Sequence, residues 1–148
     1  MAAERLGFIA GGFDPFPHPG QIWAMRQAVE AGVCSSIAIG LHIDPRLERP
    51  DKPPTCMTLE ERELMLRALR WTADVIPYRT EADLVRLLQE LRPDVRILGE
   101  DYRGREFTGS ELGIPIFYAT RRPDWSATRF RRRIGTALAA PDEGAGPV

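Results

Sequence analysis

Short apolar runs alternate with segments of helical periodicity along the chain. The runs are bounded by glycine, proline or charged residues, a pattern typical of buried strands. They predict five strands, at residues 6–11, 35–42, 73–78, 94–99 and 113–119. The periodic segments predict four helices, at residues 20–32, 58–71, 80–93 and 126–140. Residues 43–56 are rich in proline and charge and predict an irregular loop.

Several helix boundaries carry signals of their own. Leucines recur at helical spacing along one face of the third helix, and Pro93 ends that segment. Thr58 followed by Glu61 predicts a capping box at the start of the second helix. Ser126 predicts the N-cap of the last helix. These helix ends are therefore predicted independently of the periodicity.

The alternation of strands and helices predicts right-handed crossovers and an α/β fold. We expect a single Rossmann-like domain over residues 1–138, with a mainly parallel five-stranded sheet and helices on both faces. Residues 139–148 are small and polar, which predicts a disordered tail. Such sheets bind ligands beyond the carboxyl ends of their strands, so the loops after the first, second and fourth strands form the candidate site.

The composition limits the kinds of partner that we expect and the cellular compartment. A chain of 148 residues with 43% hydrophobic residues can bury one core, and its net charge of -1 gives no long-range attraction to nucleic acid or an anionic membrane. No apolar run approaches the roughly 20 residues that span a bilayer, and the N-terminus has no signal-peptide pattern. Cys34 and Cys56 lack metal-site spacing and are expected to be free thiols. We therefore expect a cytoplasmic protein without nucleic-acid or membrane partners.

The loop GGFDPFPHPGQ, residues 11–21, contains more glycine and proline than a chain reversal needs. Glycines between a strand and a helix let the backbone approach a ligand, and the helix start offers free N–H groups and the positive end of its dipole. His18, two residues before Gly20, could donate a hydrogen bond to a phosphate there. A proline-rich turn with a surface histidine has the same spacing, so both interpretations stay open at this point.

The order of residues in this loop resembles the signature G-x-F-D-x-x-H-x-G-H of the nucleotidyltransferase superfamily. The matching residues are Gly11, Phe13, Asp14, His18 and Gly20. Three later segments are also similar to segments of that superfamily, namely LEERELMLRALRWTADVIPY, ILGEDYRG and RRPDWSATRFRRRI. The four segments cover about residues 5–135, and as a set they look closest to the small bacterial cytidylyltransferases, such as the glycerol-3-phosphate cytidylyltransferases.

The resemblance implies an activity and a set of site residues. The activity is transfer of a cytidylyl group from CTP to a small phosphorylated acceptor with release of pyrophosphate, and an ATP-dependent adenylyltransferase is the alternative. Mg²⁺ as cofactor and a homodimer are also implied. The implied catalytic residues are His18, Gln21, Arg121, Ser126 and Thr128. The implied nucleotide contacts are Gly11, Gly12, Phe13, Asp14, Gly20, Asp101 and Arg129.

Two further roles follow from the same resemblance. Asp14 is expected to help hold Mg²⁺ or to orient its loop, and an Asx-turn is the structural alternative. The resemblance implies contacts to the acceptor or its phosphates from Arg49, Lys52, Arg62 and Arg70, and simple surface charge is the alternative for Arg49 and Lys52. Asp44 is added as an acceptor contact because it follows the second strand at the ligand-binding edge of the sheet. Arg62 and Arg70 lie eight residues apart on the predicted second helix, near enough to one face to converge on a site. A structural role or a place in a dimer interface is the alternative for Arg70.

Departures from the superfamily pattern keep a second class of function open. Three residues instead of two separate Asp14 from His18, so Pro17 is extra. Gln21 stands where the signature has its second histidine, and Ala127 stands where the last segment has a threonine. A glutamine donates a neutral hydrogen bond, which is weaker than a charge-assisted one. A non-catalytic nucleotide-binding protein is therefore the alternative to an enzyme.

Overall fold

Five parallel strands form one sheet in the computed structural model, which describes residues 3–141. The strands are β1 (Leu6–Gly11), β2 (Ser36–His42), β3 (Thr72–Tyr78), β4 (Val95–Gly99) and β5 (Ile116–Ala119). The helices are α1 (Pro19–Glu30), α2 (Leu59–Arg67), α3 (Glu81–Leu91) and α4 (Ala127–Ala139). The strand order is β3-β2-β1-β4-β5. The prediction of a single Rossmann-like α/β domain with a parallel five-stranded sheet is confirmed.

Helices cover both faces of the sheet because strand side chains alternate between the two faces. On one face, Met25 of α1 and Leu66 of α2 pack in a cluster with Ile97 of β4. On the other face, Leu88 of α3 packs against Phe8 of β1. Each of these five side chains is at most 1% exposed. Burying one side chain of this kind stabilises a fold by about 1.5–3 kcal/mol, so the two layers hold the sheet between them.

The winding of the chain reverses at β1. β2 and β3 follow on one side of β1, whereas α3 carries the chain back to β4 on the other side. β1 and β4 are direct neighbours, with Gly7 opposite Val95 and Phe8 opposite Arg96. The connections after β1 and β4 leave the sheet in opposite directions, which opens a crevice between them. Parallel sheets bind their ligands at this kind of switch point.

The start of α2 agrees with its local sequence signals, whereas its end does not. Thr58 and Glu61 form the predicted capping box, with reciprocal hydrogen bonds between side chain and backbone. The helix ends at Arg67, before its predicted end at residue 71. The carbonyl of Trp71 instead accepts the N–H of Ile37 in β2. Strand pairing therefore replaces the last helical turn that the periodicity predicted.

The last helix begins as predicted and reaches the edge of the described residues. Ser126 caps α4 by accepting the backbone N–H of Arg129 at 3.2 Å. The predicted tail, residues 139–148, overlaps α4 at Ala139, and residues 142–148 lie outside the described part of the chain. Within residues 3–141, each helix is too short or too polar to cross a membrane.

Candidate active site

A cleft opens over the carboxyl ends of β1, β4 and β5, at the switch point of the sheet. Its walls are the loops that follow β1 and β2, the long connection between β4 and β5, and the segment before α4. Its volume of about 1130 Å³ exceeds the roughly 300–1,000 Å³ of typical small-molecule pockets. The cleft therefore has room for two small substrates.

His18 is the N-cap of α1 and lines this cleft. Its Nδ1 accepts the backbone N–H of Gly20 at 3.1 Å, so in the neutral ring the proton lies on Nε2. Burial, followed by the positive charge of Arg121, lowers the pKa of His18. The ring is therefore neutral near pH 7 and presents Nε2–H as a hydrogen-bond donor.

Gln21 completes a capping box with His18. Its Oε1 accepts the backbone N–H of His18 at 3.1 Å, which fixes the amide orientation because that N–H needs an acceptor. The amide NH₂ of Gln21 then remains as a donor at the wall of the cleft. Gln21 therefore has a structural role that the comparison with a second histidine did not predict, together with a free donor group.

Gly20 allows two helix N-termini to meet. A Cβ atom at this position would lie 2.3 Å from the carbonyl oxygen of Trp125 and 2.9 Å from Cε1 of His18, which is too close for any side chain. Trp125 directly precedes Ser126, the N-cap of α4. The starts of α1 and α4 are thus in contact, and their positive dipole ends favour an anion at this end of the cleft. The backbone N–H groups open to an anion are those of α4, because Pro19 has none and those of Gly20 and Gln21 in α1 already donate to His18.

Two arginines lie at the same end of the cleft. Arg121 and Arg122 both line it, and Cζ of Arg122 lies 3.9 Å from the ring centroid of Trp125. Nε of Arg121 donates to Asp101 at 2.6 Å, in a pair that is about half exposed. The structure thus brings together two predicted site residues, Arg121 and Asp101. Arg122 was missed, although its position beside Arg121 before the last helix was the available signal.

The loop after β2 forms the opposite wall. Arg49 and Lys52 line the cleft and are exposed, which suits residues that close on a charged ligand. Asp44 does not line the cleft. Its carboxylate accepts the backbone N–H of Arg46 at 3.0 Å and pairs with the Arg46 guanidinium, and these hydrogen bonds lower the pKa of Asp44. Asp44 therefore shapes the loop that carries Arg49.

Asp14 is buried, and both of its carboxylate oxygens accept hydrogen bonds. It is 9% exposed and accepts the backbone N–H groups of Cys56 at 2.9 Å and Met57 at 2.8 Å. Its carboxylate also pairs with Arg131 of α4. Asp14 thus ties its own loop to the start of α2 and to α4, and it does not line the cleft.

The described residues do not fit a magnesium site held by the protein. Asp14, the expected ligand, has its oxygens engaged by two backbone N–H groups and a guanidinium. Within residues 3–141, His, Cys, Asp and Glu side chains form no group of three or more that could hold a metal ion. Asp14 therefore serves as a link between segments and not as a ligand of a metal held by the protein.

The predicted convergence of Arg62 and Arg70 on one ligand is wrong. Arg62 is 1% exposed, and its guanidinium donates to backbone carbonyls at the ends of β1 and β2, those of Gly12, His42 and Ile43, at 2.7–3.0 Å. Arg70 lies beyond the end of α2, stacked 4.7 Å from the Trp71 ring, and does not line the cleft. Arg62 joins two strand ends, and Arg70 lies near the amino end of β3.

Of the remaining predicted site residues, those of the first loop line the cleft, and those at the start of α4 lie beside it. Residues of the first loop line the cleft, namely Gly11, Gly12, Phe13 and Gly20. The Phe13 ring is 2% exposed in the core, and its φ of 50° is a conformation that costs a non-glycine residue about 1–2 kcal/mol. Ser126, Thr128 and Arg129 lie on the first turn of α4, next to the cleft but outside its lining. Arg129 pairs with Asp124 at 3.6 Å.

Two curated proteins are similar to this chain in sequence. A bifunctional protein HldE from Gluconacetobacter diazotrophicus is 32% identical over 143 residues, which are 92% of this chain and 28% of that protein. The FAD synthase of Pyrococcus abyssi is 32% identical over 98 residues, which are 66% of this chain and 65% of that protein. The present chain thus spans only about a quarter of the HldE protein that it matches.

A solved structure and a family model complete the comparison. The crystal structure of the lipopolysaccharide core biosynthesis protein from Thermoplasma volcanium has the same fold, with a TM-score of 0.60 at 19% identity. The match covers 81% of this chain and 98% of that one. Residues 8–133 match the model of the cytidylyltransferase-like family. The chain therefore belongs to the cytidylyltransferase-like family of nucleotidyltransferases.

Proposed function

We propose that this protein transfers a nucleotidyl group from a nucleoside triphosphate to a small phosphorylated acceptor and releases pyrophosphate. One observation carries the proposal: two helix N-termini meet beside a neutral His18, with Arg121 and Arg122 at the same end of the cleft. Donors and positive charge at one end, and free volume at the other, suit a triphosphate and a second substrate.

The proposed chemistry needs no protein nucleophile. An oxygen of the acceptor phosphate attacks the α-phosphorus and forms the new P–O bond. The bond from the α-phosphorus to the bridging oxygen breaks, and its electron pair leaves with pyrophosphate. Nε2–H of His18 and the amide NH₂ of Gln21 donate to the α-phosphate oxygens, where negative charge grows in the transition state. Arg121 and Arg122 neutralise the β- and γ-phosphates as these become the leaving group.

Arg121 is already held by a carboxylate before any nucleotide arrives. Its Nε donates to Asp101 at 2.6 Å, and both side chains are about half exposed. An exposed ion pair of this kind contributes at most about 1 kcal/mol, so a triphosphate can displace Asp101 at small cost. The pair therefore keeps the guanidinium at the mouth of the cleft until its phosphate partner binds.

The choice of nucleotide is the finer part of the proposal. The sequence pattern favours CTP because the four matching segments, taken together, look closest to cytidylyltransferases. ATP is the second candidate, because the name of the FAD synthase relative states a product that contains an adenylyl group. In either case Mg²⁺ enters with the triphosphate, as part of the substrate. The implied homodimer stays a prediction.

The alternative of a non-catalytic nucleotide-binding protein rests on Gln21, Ala127 and Pro17. The geometry of Gln21 weakens it, since this side chain both caps α1 and keeps a donor at the cleft. Ala127 is the first residue of α4, where the free backbone N–H groups of the helix remain available to a phosphate. Neither substitution removes the donors that the proposed reaction requires.

The reverse reaction tests the proposal and identifies the acceptor in the same experiment. The protein is incubated with labelled pyrophosphate, Mg²⁺ and, in separate reactions, CDP-linked and ADP-linked compounds, including CDP-glycerol and FAD. We expect label in CTP or in ATP, and the reacting compound identifies the acceptor. His18→Asn, which keeps an N-cap side chain, should lose this exchange, whereas Arg26→Gln on the exposed face of α1 should retain it. If CTP or ATP binds tightly but no compound yields labelled triphosphate, the protein is the non-catalytic binder.

A further inference from the structure

Arg96 is a buried charge on the floor of the cleft, away from the residues assigned to the nucleotide. It lies on β4 opposite Phe8 of β1, on the face of the sheet that α3 covers. Its side chain lines the cleft although the residue is only 5% exposed. The role proposed for the nucleotide site does not use it.

The guanidinium of Arg96 is only partly satisfied. Nη1 donates to the carbonyl oxygen of Thr108, and Cζ lies 5.3 Å from the ring centroid of Phe107. Nε is buried and has no hydrogen-bond partner. Within residues 3–141, no carboxylate lies within the 4.0 Å of an ion pair with this guanidinium. Burial lowers the pKa of Arg96, and the carboxylates of Glu81 and Glu111 oppose this only from beyond ion-pair distance. A buried guanidinium stays charged and is unfavourable without a close anionic partner.

The connection between β4 and β5 is built closely around this group. A Cβ at Gly109 would lie 3.2 Å from Nη1 of Arg96 and 3.0 Å from Cδ1 of Leu88, and the φ of Gly109 is +85°. Only glycine adopts this conformation readily, so the backbone can pass close to the guanidinium. The fit holds Arg96 in one position, which prepares it to bind a ligand at little entropic cost.

The walls above Arg96 are rich in hydrogen-bond acceptors. Glu106 and Glu111 of the β4–β5 connection line the cleft, and both are exposed. Glu81 lines it from the start of α3, and the hydroxyl-bearing Tyr78 and Tyr102 also line it. Carboxylates accept hydrogen bonds from hydroxyl groups. This part of the cleft therefore suits a hydroxylated chain or ring between its ends.

The backbone of Arg96 lies well inside the sheet, away from the loop that carries His18. Arg96 precedes Gly99, the last residue of β4, by three residues, which is about 10 Å along a strand. His18 and Gln21 follow the end of β1 at the carboxyl edge of the sheet. A molecule that contacts both regions must extend from the edge of the sheet to its covered face.

We propose that Arg96 binds a second anionic group of the acceptor, a carboxylate or a phosphate, at the end remote from the phosphate that reacts. The acceptor is then a hydroxylated compound with two anionic ends. That the anion belongs to the acceptor rests on the proposed function, whereas the anion site itself rests on the position of Arg96 at the cleft and on its incompletely hydrogen-bonded guanidinium.

Nuclear magnetic resonance of arginine side chains tests the site directly. The protein is labelled with ¹⁵N-arginine, and the Nε–H signal of Arg96 is identified by its absence in Arg96→Lys. Arg26→Lys, an exposed substitution on α1, is the matched control for the assignment. Inorganic phosphate and acetate are then titrated separately. We expect a saturable shift of the Arg96 signal with at least one of them, and the more effective anion shows whether the ligand group is a phosphate or a carboxylate.

Further outcomes separate this inference from the proposed function. The shift should persist in Arg121→Ala, because that variant changes only the nucleotide end of the cleft. If CTP or ATP binds while both anions leave the Arg96 signal unmoved up to tens of millimolar, Arg96 only supports the β4–β5 connection and the inference is wrong. If the Arg96 signal shifts but no nucleotide binds, the anion site stands and the proposed function fails. If Arg96→Lys does not fold, the Nε–H signal is assigned instead by its absence from the spectrum of Arg96→Gln.

Kinetics provide a second readout once an acceptor is known. Arg96→Lys should raise the acceptor KM by about tenfold or more while the KM of the nucleotide stays within about twofold. A residue that merely supports the loop would change both constants or the folding of the protein. Equal changes in both KM values would therefore contradict the assignment of Arg96 to the acceptor.

Discussion

Replacing Gln21 with glutamate changes one group at the centre of the proposed site. Oε1 of Gln21 accepts the N–H of His18 at 3.1 Å, and a carboxylate oxygen can make the same bond. Glu at the third position of a helix also suits the positive end of its dipole, by about 0.3–1 kcal/mol. Gln21→Glu should therefore fold normally and unfold at the same or a slightly higher temperature.

The same substitution should strongly weaken triphosphate binding. It removes the NH₂ donor, worth about 0.5–1.5 kcal/mol, and places a negative charge beside the α-phosphate. Two like charges about 4 Å apart near a protein surface repel by about 4 kcal/mol at an effective dielectric constant of about 20. Together these give a loss of about 4.5–5.5 kcal/mol, which is roughly 10³- to 10⁴-fold in affinity for CTP or ATP.

Titration calorimetry with each nucleotide measures this loss, and Gln21→Met is the matched control. Methionine has a similar size but adds no charge, so its affinity should fall only about tenfold. It also removes the cap, which should cost about 1 kcal/mol of folding stability. If Gln21→Glu binds nucleotide as tightly as the unchanged protein, Gln21 does not face the phosphates and the assignment of this wall of the cleft is wrong.

Three further predictions concern residues that hold the site together. Because the pKa of His18 is lowered in the folded state, its contribution to stability is complete above the unfolded value of about 6.5 and is lost as pH falls towards the folded value. Thermal unfolding between pH 7.5 and about pH 5 should thus show a smaller pH dependence in His18→Asn. Gly20→Ala should destabilise the fold by about 1–3 kcal/mol in urea unfolding, since the new methyl group lies 2.3 Å from the Trp125 carbonyl; an unchanged midpoint would contradict the contact. Asp14→Asn should cost about 3 kcal/mol because it leaves the partly buried Arg131 unpaired, and adding Mg²⁺ to the unchanged protein without nucleotide should not alter its melting.

The elements of the fold were predictable because their signals are local. The Thr58–Glu61 capping box and the Ser126 N-cap each depend on residues within one helical turn, and both form as predicted. The parallel sheet follows from the alternation of strands and helices, which leaves few possible topologies. Where a distant strand competes for the backbone, as at Trp71, the local signal gives the wrong boundary.

The roles of charged residues were less predictable because their partners are far apart in sequence. Asp14 pairs with Arg131 across 117 residues, and Arg62 donates to the carbonyl of Gly12 across 50. Both charged side chains resemble exposed site residues in the sequence, whereas the fold buries them as links between segments. Arg96 interrupts an apolar strand in the sequence. That its Nε is buried without a hydrogen-bond partner depends on the β4–β5 connection that packs against it, which the sequence does not reveal.

Thermal unfolding with CTP, ATP, GTP and UTP, each with Mg²⁺, tests the central claim most directly. A ligand at about 100 times its Kd stabilises the folded state by about 2.7 kcal/mol, which a melting curve resolves. We expect a shift with CTP or with ATP in the unchanged protein and in Arg26→Gln, and a much smaller shift in Gln21→Glu. If no nucleotide at millimolar concentration shifts the transition, the cleft beside His18 does not bind a triphosphate, and the proposed nucleotidyl transfer is contradicted.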